Sequence, residues 1–252
     1  GILRSNGRCI ERSNSYIIMY NISNESNLLD YIKNHSSRGV ISSFWLGMQS
    51  YNEIWELQKE IHKDVVSESI GDVILLLEHP HVYTLGKNAN NNHLLPSYPK
   101  DAEVIDIDRG GDITYHGPGQ LVGYPIINLK NYKKSISWYM RTLEEIIIST
   151  LKNINIQSYR RDKLTGVWVE DEKICAFGVR MARWTTMHGF ALNLNPDMTF
   201  FNGIIPCGIF EYGVTSIKEL SDTDLSIQDL AKKVSDNCNE YINKNVLNQN
   251  FA

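Results

Sequence analysis

The chain reads as an α+β domain with a mixed, mostly antiparallel sheet packed with helices. Three observations lead there. Strand-like segments come in runs between three separated amphipathic helical stripes. The polar run Glu170-Asp-Glu172 divides two alternating segments as a hairpin turn would. Hairpin signals outnumber crossover units, which argues against a doubly wound parallel sheet.

The elements follow in order from near Phe44. Ser50-Tyr-Asn-Glu53 has the spacing of a helix-capping box. Behind it, Ile54, Leu57, Ile61 and Val65 recur at three- and four-residue steps, which predicts a helix. Val73–Leu77 and Val82–Leu85 read as strands on either side of the turn Glu78-His-Pro-His81. Val104–Ile107 alternates as a short strand, and Leu121–Ile127 is a second one after a glycine-rich stretch. Ile136, Tyr139, Met140, Leu143, Ile147 and Leu151 form one helical stripe. Gly166–Glu170 and Ile174–Met181 make the hairpin, and His188–Leu194 is a further strand. Ile227, Leu230, Ala231, Val234, Cys238 and Tyr241 define a terminal amphipathic helix.

Bulk properties bound the function. The chain has 252 residues, 42 % hydrophobic and 21 % charged, with a formal net charge of -4. A general nucleic-acid binder would show a basic excess instead. No apolar run approaches the roughly 20 residues a membrane span needs. With no repeat or linker inside 44–252, that stretch reads as a single domain. Residues 1–43 differ: they are rich in Ser and Asn, with Arg4, Arg8 and Arg12 at their head. The start at Gly1 rather than Met reads as a recombinant or a processed form. An acid-poor, Arg- and Ser-bearing start resembles the tail of an organelle transit peptide, the alternative being a disordered or family-specific extension. Together with the Asn-, Lys- and Ile-rich composition, it points to a plastid-type organelle such as an apicoplast first, a mitochondrion second and the cytoplasm third.

The four cysteines, Cys9, Cys175, Cys207 and Cys238, show neither CxxC nor metal-like spacing, so a disulfide framework and a metal centre are not expected. Cys207 stands between Pro206, which restrains the backbone, and Gly208, which clears space beside the thiol. Such a thiol needs a nearby cation to become a thiolate. Lys173, His116 and His188 are the candidates, whereas His79 and His81, around Pro80, read as structural. Arg109 to Tyr124, RGGDITYHGPGQLVGY, carries glycine at a density that suggests close approach of a bound group. It matches no GxGxxG pattern and opens no helix, so a dinucleotide site is not expected. No phosphate-binding GxxxxGK[ST] loop occurs anywhere.

Several segments, taken in order, closely resemble the lipoyl(octanoyl) transferases. These are Glu78 to Gly86 (EHPHVYTLG), Arg109 to Gln120 with Tyr124 behind it, Lys173 to Gly178 (KICAFG), Thr186 to Asn193 (TMHGFALN), and Pro206-Cys-Gly-Ile209. The resemblance covers roughly residues 44–225 and implies a biotin/lipoate protein ligase-like fold. It implies that Cys207 carries the acyl group as a thioester, and that Lys173 lowers the thiol's pKa and moves protons. By the same resemblance the substrate pocket is lined by Arg109, Gly110, Gly111, Asp112, Ile113, Thr114, Tyr115 and His116. Ala176, Phe177 and Gly178, with Gly189, Phe190 and Ala191, complete it, and Tyr124 and His188 support it.

The reaction so implied is the first step of endogenous protein lipoylation. Octanoyl-acyl carrier protein would be the donor. Lipoyl domains of 2-oxoacid dehydrogenase E2 subunits, or the glycine cleavage H protein, would be the acceptors. Thioester to amide is downhill, so no ATP, metal or other cofactor is expected, nor any nucleic-acid or membrane partner. Arg160, Arg161 and Lys163, or Lys130, Lys133 and Lys134, are candidate docking patches for an acidic carrier protein. Two features depart from the family: Cys175 puts a second thiol two residues from Lys173, and residues 1–43 have no counterpart. The rival readings are an ATP-dependent lipoate–protein ligase of the same fold and a non-catalytic acyl-protein binding module.

Overall fold

The segment Asp72–Glu78 is buried along most of its length and sends alternate side chains into two different cores. Ile74 and Leu76 enter one, while Val73, Leu75 and Leu77 enter the other. A strand covered on both faces reads as a near-continuous apolar run, as this one does. It sits at the middle of a three-layer arrangement in the computed structural model, which describes residues 19–205 and 212–249.

In chain order the elements begin with β1 (Met19–Asn21), α1 (Leu28–His35), β2 (Ile41–Met48) and α2 (Tyr51–Val66). Next come β3 (Asp72–Glu78), β4 (Val82–Leu85), β5 (Glu103–Asp106), β6 (Ile113–His116) and β7 (Gln120–Ile126). After α3 (Ile136–Lys152), the strands β8 (Tyr159–Arg161), β9 (Leu164–Val169), β10 (Glu172–Ala182) and β11 (Thr185–Asn193) follow one another. The described chain closes with β12 (Gly213–Val214), α4 (Ile217–Leu220) and α5 (Ile227–Gln249).

The larger sheet runs in the order β1-β2-β3-β7-β11-β10-β9-β8, with β12 beside β10. Its pairs are parallel from β1 to β3 and antiparallel from β3 to β8. The mixed, mostly antiparallel α+β expectation therefore holds. Helices α1 and α2 cover one face through Ile32, Ile54, Ile61 and Val65. Helices α3 and α5 cover the other through Leu143, Ile147, Leu230 and Val234. Capping sets where two of these helices start: Ser50 and Ser135 each accept a backbone N–H of the first turn with their side chains.

Three sequence expectations are revised, and a fourth falls outside the described residues. The fold begins before Phe44: β1 pairs in parallel with β2 across Met19↔Ser43 to Asn21↔Trp45, and Ile32 of α1 is fully buried. A three-residue strand in a Ser- and Asn-rich stretch carries no periodic signal of its own. Residues 1–18, where the transit-like feature was read, lie outside the described residues. The strands flanking Glu78-His-Pro-His81 do not pair with each other. β3 stays in the large sheet, while β4 forms a second, three-stranded sheet with β5 and β6. Most of the glycine-rich stretch Arg109–Tyr124 is itself strand, with only residues 109–112 and 117–119 outside β6 and β7.

Candidate active site

Between the small sheet and the open end of the large one lies a cavity of about 490 Å³. Its walls bring together most of the residues expected there: Arg109–Thr114, His116, Tyr124, Lys173, Ala176–Gly178 and His188–Ala191. They come from the 108–112 loop, β6, β7, β10 and β11. The register explains the convergence, because Ala176, Phe177 and Gly178 lie directly opposite Ala191, Phe190 and Gly189. Behind Phe190, Gly123 of β7 has no room for a Cβ, which would fall 2.1 Å from the Phe190 ring. An aromatic ring thus occupies the space that a side chain on the neighbouring strand would need.

Tyr115 is the exception among the expected lining residues. Its ring is fully buried in the small sheet's core, stacked on Phe200, and its hydroxyl meets His81 Nδ1 at 2.8 Å. Alternation along β6 sends it to the opposite side from His116 and Thr114. Several lining residues escaped the sequence reading: Tyr51, Gln120, Met140, Lys163–Thr165, Asn193, Phe201, Ile204 and Val214. Gln120 and Asn193 end two of the family-like segments, a signal that could have found them. Tyr51 read only as part of a capping box.

Arg109 anchors the cavity rather than facing solvent. It is 6 % exposed, and its Nη2 donates to Thr84 O at 2.8 Å and to Thr84 Oγ1 at 2.9 Å. Nη1 donates to Gly110 O at 2.9 Å. The Gly110 N–H donates to Val179 O at 3.1 Å and ties the loop to β10. Asp112 is likewise a loop clasp: its Oδ1 accepts Ile113 N at 2.8 Å and Asn90 N at 3.1 Å, and Oδ2 pairs with His93.

The cavity's histidines are neutral. Burial lowers His116 to about 3, helped by the neighbouring His79, which burial lowers to about 4. His116 Nδ1 donates to Gln120 Oε1 at 2.8 Å, and Gln120 Nε2 donates to Asn193 Oδ1 at 3.0 Å. His79 Nδ1 donates to Gln49 O at 2.7 Å, so its Nε2 accepts from the Tyr124 hydroxyl at 2.8 Å. Burial also lowers His188, although its Nε2 donates to Asp108 Oδ1 at 3.0 Å. Asp108, held by His188 and Arg180, stays ionised with its pKa lowered to about 2. His116 and His188, candidates for the thiol's cationic partner, are therefore not cations at neutral pH. Of the three candidates, Lys173 is left.

Lys173 stands at the start of β10, where the pairing with β9 shifts register: Lys173 faces Trp168 and Cys175 faces Val167. The extra residue, Ile174, is a β-bulge, a device that re-aims side chains beside functional sites. Cys175 is fully buried, and desolvation pushes its thiol well above the usual range, so it is inert at neutral pH. Cys207, with Pro206 and Gly208, lies outside the described residues. Two of the candidate docking cations are engaged in the fold, since Arg160 pairs with Glu144 and Glu145, and Arg161 with Asp171. Among the described residues, no group of three or more His, Cys, Asp or Glu could hold a metal ion, and no helix is long and apolar enough to cross a membrane.

Comparison with known proteins gives this geometry its relatives. The model of the lipoyl protein ligase A/B catalytic domain matches residues 50–239. An octanoyltransferase of Cytophaga hutchinsonii is 45% identical over 206 residues, 73% of this chain and 84% of the relative. One from Flavobacterium johnsoniae is 47% identical over 192 residues, covering 68% of this chain and 83% of its own. Among solved structures, a bi-partite lipoate protein ligase from Thermoplasma acidophilum matches with a TM-score of 0.60 and 15% identity. That match covers 82% of this chain and 84% of the other, and at such identity it is a likeness of fold.

Proposed function

Because the chain belongs to the lipoyl protein ligase A/B catalytic domain family and is an octanoyltransferase, an acyltransferase of protein lipoylation, we propose that it works through Cys207 and Lys173 on octanoyl-acyl carrier protein. The acceptor is a lipoyl domain; those of 2-oxoacid dehydrogenase E2 subunits and the glycine cleavage H protein are the proposed ones. One observation carries this reading. The cavity wall gathers Lys173 with the three family-like segments Arg109–His116, Ala176–Gly178 and Gly189–Ala191, Tyr115 alone turning away.

The Cys207 thiolate attacks the donor's thioester carbon, forming a new C–S bond. The carrier's thiolate leaves and takes a proton from the Lys173 ammonium. The octanoyl tail is held by burial against the apolar part of the wall, which includes Phe177, Phe190 and Ile174. The acceptor lysine, as the free amine, then attacks the acyl-enzyme. Its excess proton passes to neutral Lys173, the amide forms, and the Cys207 thiolate departs. Every atom and proton is accounted for without ATP, metal or other cofactor.

Intact mass measurement after incubation with octanoyl carrier protein tests the reading. An octanoyl adduct labile to hydroxylamine is expected, absent in Cys207→Ala. No adduct, or one that survives Cys207→Ala, would exclude the thioester route, and transfer of free lipoate only with ATP would indicate a ligase instead. The Arg- and Ser-bearing residues 1–18 support location in a plastid-type organelle, and imaging that segment fused to a fluorescent protein checks it.

A further inference from the structure

Trp168 and Lys173 face each other across β9 and β10, and the Lys173 Nζ lies 4.9 Å from the centre of the indole ring. A cation within about 6 Å of an aromatic face is attracted by the ring quadrupole, most strongly by tryptophan. The ring is fixed. Trp168 is 2 % exposed, Tyr212 meets it edge-on at 5.4 Å, and the Arg161 guanidinium lies 5.2 Å from its centre. The space beside it is kept open by Gly166 in β9, where a Cβ would stand 3.1 Å from both Lys173 Cε and Trp168 Nε1. Gly166 has φ +144, a conformation that L side chains rarely adopt. The bulge at Ile174 keeps Lys173 in register with Trp168 while resetting the residues behind it.

We propose that Trp168 is a positioning residue for octanoyl transfer, its indole face holding the Lys173 ammonium at the edge of the acyl cavity. A lysine has four rotatable bonds, so a proton donor carried on it is effective only when something restricts them. The indole supplies that restriction and Gly166 leaves the channel through which the side chain reaches it. Trp168 itself is not among the cavity's lining residues, so it acts through the lysine rather than on the substrate. This rests on the assignment of Lys173 to proton transfer.

The test uses the full chain with octanoyl carrier protein and an unmodified lipoyl domain. Trp168→Leu is expected to lower kcat roughly five- to thirtyfold with KM for both substrates unchanged, and Trp168→Phe to recover most of the loss. In single-turnover acylation, Trp168→Leu is expected to have no further effect once Lys173→Met is present. If Phe loses as much as Leu, or Leu acts equally with and without the lysine, the proposal is overturned. An undiminished rate in Lys173→Met alone would remove the lysine's role, and the proposal with it. If Trp168→Leu does not fold, the wild-type protein still decides. With lysine labelled at the ε-carbon, the Lys173 ε-methylene protons, identified by their loss in Lys173→Arg, should resonate upfield of the other lysines through the indole ring current. A Lys173 signal among the other lysines would overturn the proposal.

Discussion

The ε-carbon of Lys173 lies 3.1 Å from the point where a side chain on Gly166 would begin. Gly166→Ala is therefore expected to push the lysine aside while adding strain at φ +144. The loss should be mainly in kcat, roughly tenfold or more, with stability down on the order of 1–3 kcal/mol. Steady-state kinetics and thermal melts of the variant check both.

Arg109 joins the small sheet to the 108–112 loop through a guanidinium fork on Thr84. Arg109→Lys keeps the charge but cannot make the same set of bonds. Leaving buried acceptors unpaired costs about 1–3 kcal/mol. A lowered melting temperature and a raised KM for the octanoyl donor are expected. A variant indistinguishable from wild type in both would show the fork to be dispensable.

His79 and His116 have folded pKa values of about 4 and about 3, below the ordinary 6.5. The unfolded chain binds more protons than the folded one between those limits. Stability from the neutral pair is thus complete above pH 6.5 and is lost as pH falls toward 4 and below. The loss is on the order of 3 kcal/mol for His79 alone. Asp72 works against this, since burial raises its carboxyl to about 6 and favours the folded state at low pH. Denaturant titrations between pH 7.5 and 4 should show a net decline, shallower in His116→Gln.

Asp112 spends its carboxylate on Asn90, Ile113 and His93. Asp112→Ala should loosen the 86–95 segment and leave preference among acyl-chain lengths unchanged. Faster amide hydrogen exchange across that segment, with the same octanoyl-to-decanoyl ratio of kcat/KM, is the expected pattern. A changed ratio would mean that Asp112 touches the acyl chain after all.

Much of this was legible before any coordinates. Helix α3 announced itself through the stripe from Ile136 to Leu151, and the β9–β10 hairpin through two alternating segments around Glu170-Asp-Glu172, because side-chain periodicity is a local property. The family-like segments carried Lys173 and most of the cavity wall, because residues that meet one substrate are constrained in type. β1 was not legible, since a three-residue strand is made only by its partner β2. Nor was the inward turn of Arg109, which depends on Thr84 lying twenty-five residues away on β4.

Sequence alone determined the α+β class, the family and the residue types of the site. Tertiary structure alone decided their chemistry. It made His116 and His188 neutral by burial, Cys175 inert by the same desolvation, and set the Lys173 side chain against an indole. Protonation depends on what surrounds a group in space, and strand pairing brings those surroundings together from distant parts of the chain.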